Sequence, residues 1–132
     1  MRTKTTLTAD DAANIMTAAK AEAMAQGWNV SIAVVDDAGM LLHLERMDGA
    51  GAQSPEIATA KAFTAAMSKA PTKMFEDLVK ERPGMLRFPG RLPLQGGVPV
   101  IHHGECVGAI GVSGVKSHED EIIAIAGQKA IG

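Results

Sequence analysis

One cysteine, Cys106, is the whole thiol complement of this 132-residue chain. That excludes an internal disulfide and any multi-cysteine metal site. Tyrosine is absent, and only Trp28, Phe63, Phe75 and Phe88 supply aromatic rings. No apolar run approaches the roughly 20 residues that cross a bilayer. The opening Met-Arg-Thr-Lys-Thr-Thr-Leu-Thr has no apolar stretch of the secretory kind. Positive charge is not in excess, since 13 Lys and Arg face 15 Asp and Glu for a net charge of −2. Nothing is left over to hold a phosphate backbone. The expectations are no nucleic-acid partner, no membrane partner and a cytoplasmic setting.

What is present is apolar and small. A hydrophobic share of 46% supports one compact domain over residues 1–132, and abundant alanine and glycine favour closely packed elements. Thr8-Ala9-Asp10-Asp11 has the form of a capping box. Ala12, Ile15, Met16, Ala19 and Ala23 then recur at helical spacing up to Gly27. Residues 30–36 and 41–47 read as strands joined by Asp36-Asp37-Ala38-Gly39. Ser54-Pro55-Glu56 opens a helix that Pro71 interrupts, and Met74, Phe75, Leu78 and Val79 line a shorter one. Residues 82–97 are rich in Pro and Gly, with Leu92 to Gln95 a candidate edge strand. Val98 to His102 and Cys106 to Val112 make a second hairpin. A last helix starts near Ser117, with Asp120 as its capping partner and Ile122, Ile123, Ala126 and Ala130 as its inner stripe. The order gives an α+β domain with a mainly antiparallel sheet.

Chemistry is sparse along this frame. Gly108, Gly111 and Gly114 form G-x-x-G-x-x-G, which is neither a dinucleotide fingerprint nor a phosphate loop. The first two glycines face opposite sides of a strand, which favours close packing. Ser113, Gly114 and the amides at the following helix start remain the anion-binding alternative. Lys61, in an alanine-rich helix, either reaches solvent or is enclosed with Asp36, Asp48 or Glu56 as its counter-charge. Arg46, Arg87 and Arg91 are candidate carboxylate clamps. His118 and Glu121 form only half a metal site, so no metal is expected. His43 shares a strand face with Glu45. His102 and His103 point opposite ways if both lie in the strand.

Several segments together resemble one family. They are Ser-Ile-Ala-Val-Val-Asp at 31–36, Arg-Met-Asp-Gly-Ala at 46–50 and Ala-Lys-Ala-Phe-Thr-Ala-Ala at 60–66. Gly-Gly-Val-Pro-Val at 96–100 and Gly-Ala-Ile-Gly-Val-Ser-Gly at 108–114 follow, with Ala126-Gly127 near the end. The chain resembles the GlcG/HbpS family, also found as the C-terminal domain of PduO-type proteins. The resemblance implies a profilin-like fold, a five-stranded antiparallel sheet between helices with Leu92 to Gln95 as a strand, and assembly into homo-oligomers. It also implies haem or a related tetrapyrrole as ligand. Residues 8–27 contain no histidine, where haem-binding relatives can take an axial ligand from the first helix.

Two functional expectations follow. The first is an oligomeric small-ligand-binding protein, with Cys106, His102 and His43 as candidate iron ligands and Arg91, Ser113 and Gly114 as further ligand contacts. The alternative is a small cofactor-independent isomerase or lyase acting on an oxygenated organic acid at a subunit interface. There Arg46 or Arg91 would hold the carboxylate, and Lys61 or His118 would move protons.

Overall fold

The structure, a computed structural model, describes residues 1–131. Helix α1 (Ala9–Gln26) begins at the expected capping box. Thr8 Oγ1 accepts the Asp11 N–H at 3.1 Å, and Asp11 Oδ2 accepts the Thr8 N–H at 2.9 Å. Gly27 ends the helix at φ 72°, a left-handed turn that glycine takes without a Cβ penalty. The helical-spacing residues Ala12, Ile15, Met16, Ala19 and Ala23 are its buried stripe. The remaining elements are β1 (Ser31–Asp36), β2 (Leu41–Arg46), α2 (Ser54–Ser68), α3 (Thr72–Glu81), β3 (Gly97–His102), β4 (Glu105–Ser113) and α4 (Ser117–Gln128). A short 3-10 turn, Pro83–Arg87, follows α3. Among the described residues no helix is long and apolar enough to cross a membrane.

The sheet is antiparallel in the order β2-β1-β4-β3. Of its two inner strands, β1 is buried on both faces, so alternate side chains serve two cores. Ile32 and Val34 join Ile15, Ala19 and Ile123 from α1 and α4. Ala33 and Val35 lie under Ala58, Ala62 and Ala65 of α2. The sheet is thus enclosed between helices.

It has four strands rather than the five implied by resemblance. Leu92 to Gln95 is not a strand, because the Leu92 and Gln95 donors are spent on neighbouring helices and the Leu94 N–H turns back to the Leu92 carbonyl at 2.9 Å. The Leu92 N–H bonds Thr64 Oγ1 at 2.9 Å, and the Gln95 N–H bonds Glu76 Oε1 at 3.2 Å. Pro93 between them has no N–H to give.

Other expectations shift by small amounts. His103 leaves the strand at φ 49°, followed by Gly104 at φ 78°, as a two-residue hairpin turn requires. The His102 and His103 rings therefore meet edge to face at 4.1 Å instead of pointing apart. In α4 the buried residues are Asp120, Ile123, Ala124 and Gly127, while Ile122 is exposed. In α3, Phe75 is buried and Met74 is exposed.

The glycine run packs as its alternation suggested. A Cβ on Gly108 would strike the Leu7 side chain and the Val35 carbonyl. One on Gly111, on the other face, would strike the Ala58 carbonyl and lie 2.5 Å from the Ala62 nitrogen. Helix α2 therefore rests directly on the backbone of β4.

Candidate functional site

Lys61 projects from α2 into the interior and is 2% exposed. Its Nζ donates to the Val112 carbonyl at 2.9 Å and to Asp120 Oδ2 at 3.1 Å. The other carboxylate oxygen, Asp120 Oδ1, accepts the Val115 N–H at 3.1 Å. None of Asp36, Asp48 or Glu56 is the counter-charge. Asp36 instead accepts the Ala38 and Met40 amides within its own turn. Asp120 is likewise not the capping partner, since Glu119 takes the Lys116 N–H. Gly96, at φ 132°, leaves room for the ammonium, because a Cβ there would sit 2.7 Å from Nζ. Burial pushes the Asp120 carboxyl up, and the Lys61 ammonium and Val115 amide pull it back by less. The pair joins α2 to α4 around the end of β4 and is sealed from solvent.

The other candidates are dispersed, and Ser113 among them is buried. Arg46 is exposed at the end of β2, and His118 is exposed at the start of α4. Arg46, Ser31 and Ser113 stand side by side across three strands, and Ser31 Oγ lies 2.8 Å from Ser54 Oγ. Gly114 backs onto the Asn29 carbonyl and Val30. The Arg91 guanidinium is stacked 5.4 Å from the Phe63 centroid and 5.0 Å from that of Phe88. It also donates to the Pro89 carbonyl at 2.7 Å, so its own loop engages it.

The three candidate iron ligands occupy three different places. Cys106 lines a recess of about 380 Å³ with Arg2, Lys4 and Lys69. Its Sγ donates to the Gly108 carbonyl at 3.4 Å. Burial pushes the thiol pKa up, only partly offset by the Gly108 contact and Lys69. The thiolate, the form that binds metal, is disfavoured. His102 lines a recess of about 310 Å³ beside Thr5, Leu7 and Asp11. Among the described residues no three His, Cys, Asp or Glu side chains are grouped to hold a metal ion.

His43 stands in the most developed setting. It faces Val34 across the β1–β2 ladder and, with Glu45, meets α1 along the open rim of edge strand β2. Ala13, Met16, Thr17, Lys20, Ala21 and Met24 form the opposite wall of a groove of about 450 Å³. Lys20 Nζ reaches Glu45 Oε2 at 2.6 Å across it. Past that bridge a second recess, about 520 Å³, shares Lys20, Met24 and Glu45 and adds Asn29, Arg46, Met47 and Asp48. Each volume falls within the roughly 300–1,000 Å³ of small-molecule sites.

One atom in this wall stands out. His43 Nδ1 is buried and has no hydrogen-bond partner. An unmade bond of this kind costs about 1–3 kcal/mol, a cost that a ligand at this position would relieve. Histidine χ2 is soft, so ring rotation can turn that nitrogen into the groove. Sequence reasoning reached His43 and Arg46 but missed Lys20 and Asn29. Lys20 was legible as lying four residues from both Met16 and Met24 on one helix face.

Comparison with known proteins follows the same outline. The family described as "Haem degrading protein HbpS-like" matches residues 7–129. Protein GlcG of Escherichia coli K12 is 42% identical over 114 residues, covering 86% of this chain and 85% of GlcG. The crystal structure of a Streptomyces reticuli HbpS double mutant superposes with a TM-score of 0.94 at 40% identity. That match covers 100% of this chain and 91% of the other. A PduOC:heme complex gives a TM-score of 0.87 at 26% identity, covering 96% of each chain.

Proposed function

Because the chain belongs to the HbpS-like family, we propose that it binds haem or a related tetrapyrrole in the groove between α1 and β2. The observation that carries this reading is the buried, unpartnered Nδ1 of His43 in the groove wall. Met16, Met24, Ala13 and Ala21 give the apolar surface that a flat macrocycle needs. Imidazole nitrogen is a common iron donor. When bound, haem would supply an iron, and His43 would be the residue to hold it. His43 is favoured over Cys106, where burial disfavours the thiolate, and over His102, whose ring meets His103 edge to face.

Titration with haemin tests the assignment. The wild-type protein is expected to shift the Soret band of haemin, and His43→Ala is expected to lose that shift. Cys106→Ala and His102→Ala should keep it. A spectrum indistinguishable from free haemin would reject the site, and one indifferent to His43→Ala would reject His43 as the iron ligand.

The reading includes self-association and a cytoplasmic setting. Met74, Leu86, Phe88 and Leu94 are exposed on α3 and the loop after it, an apolar surface that a second copy would cover. A single monomeric species in sedimentation velocity at working concentration would remove that part.

A further inference from the structure

Past the Lys20–Glu45 bridge the groove becomes more polar. We propose that this second recess recognises a carboxylate, so that the groove selects tetrapyrroles carrying free acid side arms over their neutral esters. The inference rests on the porphyrin reading of the groove, but not on His43 as an iron ligand.

Three features support it. Arg46 is exposed and makes no ion pair among the described residues. Its planar fork matches a carboxylate in a two-point contact. Asn29, on the same recess, has an amide that donates no hydrogen bond among the described residues and can add a third contact. Its Nδ2 lies beside Gly49, where an added Cβ would be 2.9 Å away.

The third feature is the bridge itself. Lys20 and Glu45 are 42% and 34% exposed, and ion pairs that open to solvent are weak. An arriving carboxylate therefore takes over Lys20 at little cost, with Glu45 turning to water. Because both recesses share Lys20, Met24 and Glu45, a ligand with a flat apolar body and an acidic edge spans them. Glu45 and Asp48 offset the two cations. A neutral ester forgoes the charge-assisted two-point contact with Arg46, and that difference is what sets acid apart from ester.

The test compares protoporphyrin IX with its dimethyl ester by porphyrin fluorescence, beside haemin in the Soret band. Wild-type protein is expected to bind the acid more tightly than the ester. Arg46→Gln should weaken acid binding about tenfold and leave ester binding unchanged. Glu45→Gln, which removes the competing carboxylate, should tighten acid binding about threefold. Opposite signs at neighbouring residues would not arise from a merely structural role. Equal affinity for acid and ester, or an Arg46→Gln effect on both alike, overturns the carboxylate site while leaving the porphyrin groove standing. Wild-type protein that binds neither porphyrin nor haemin overturns both. Haemin binding that survives His43→Ala but keeps the acid preference removes only the iron ligand.

Discussion

Lys61→Met is expected to cost about 3–5 kcal/mol of stability near neutral pH. The substitution keeps much of the side-chain volume but strands the Asp120 carboxylate in the interior, where only the Val115 amide still serves it. The pH dependence has a definite sign. Burial already raises the Asp120 carboxyl above its usual range, and the Lys61 ammonium is the largest force opposing that rise. Without Lys61 the folded-state pKa climbs further. A raised carboxyl pKa contributes stability below the unfolded value, and that contribution is lost as pH rises through the folded value. The variant's deficit should therefore shrink as pH falls toward the acid side and grow toward neutrality.

Chemical denaturation at several pH values measures this directly. The double variant Lys61→Met, Asp120→Leu should recover most of the loss, because it removes the stranded charge. A single variant as stable as wild type at pH 7 would mean that the pair is not enclosed as described.

Gly111→Ala is the second large effect. The added methyl would meet the Ala58 carbonyl and the Ala62 nitrogen, and helical backbone cannot step aside as a flexible side chain can. Overpacking of this kind costs about 3 kcal/mol, which lowers the melting temperature by on the order of 10 °C for a domain of this size. Gly51→Ala is the control. Nothing lies within 4 Å of its added Cβ, and such a surface change stays within about 0.5 kcal/mol. Equal melting temperatures for the two variants would contradict the direct seating of α2 on β4.

Much of the fold was legible because it is written in local pattern. The capping box at Thr8, the small-residue stripe of α1, both hairpins and the breaks at Gly27 and Pro71 each follow from a few consecutive residues. Leu92 to Gln95 was misread as a strand. Its residue pattern looks the same whether its donors meet another strand or, as for Leu92 and Gln95 here, Thr64 and Glu76 on two helices. In α4 the isoleucines drew attention away from the inward positions. Asp120, Ile123, Ala124 and Gly127 fit the i, i+3, i+4, i+7 spacing, yet the first is charged and the last has no side chain.

The candidate site was legible only in pieces. His43, Arg46 and Lys61 could be named as unusual for their surroundings, but not grouped. Lys61 and Asp120 are 59 positions apart and lie on helices covering opposite faces of the sheet. Lys20 and Glu45 come from a helix and an edge strand that meet only after folding. Periodicity along the chain dictated which face each element buries, since that depends on neighbours three or four positions away. The folded arrangement alone decided which charges pair, which nitrogen is stranded and where a groove opens. Those outcomes depend on distances between elements, and a sequence carries no measure of them.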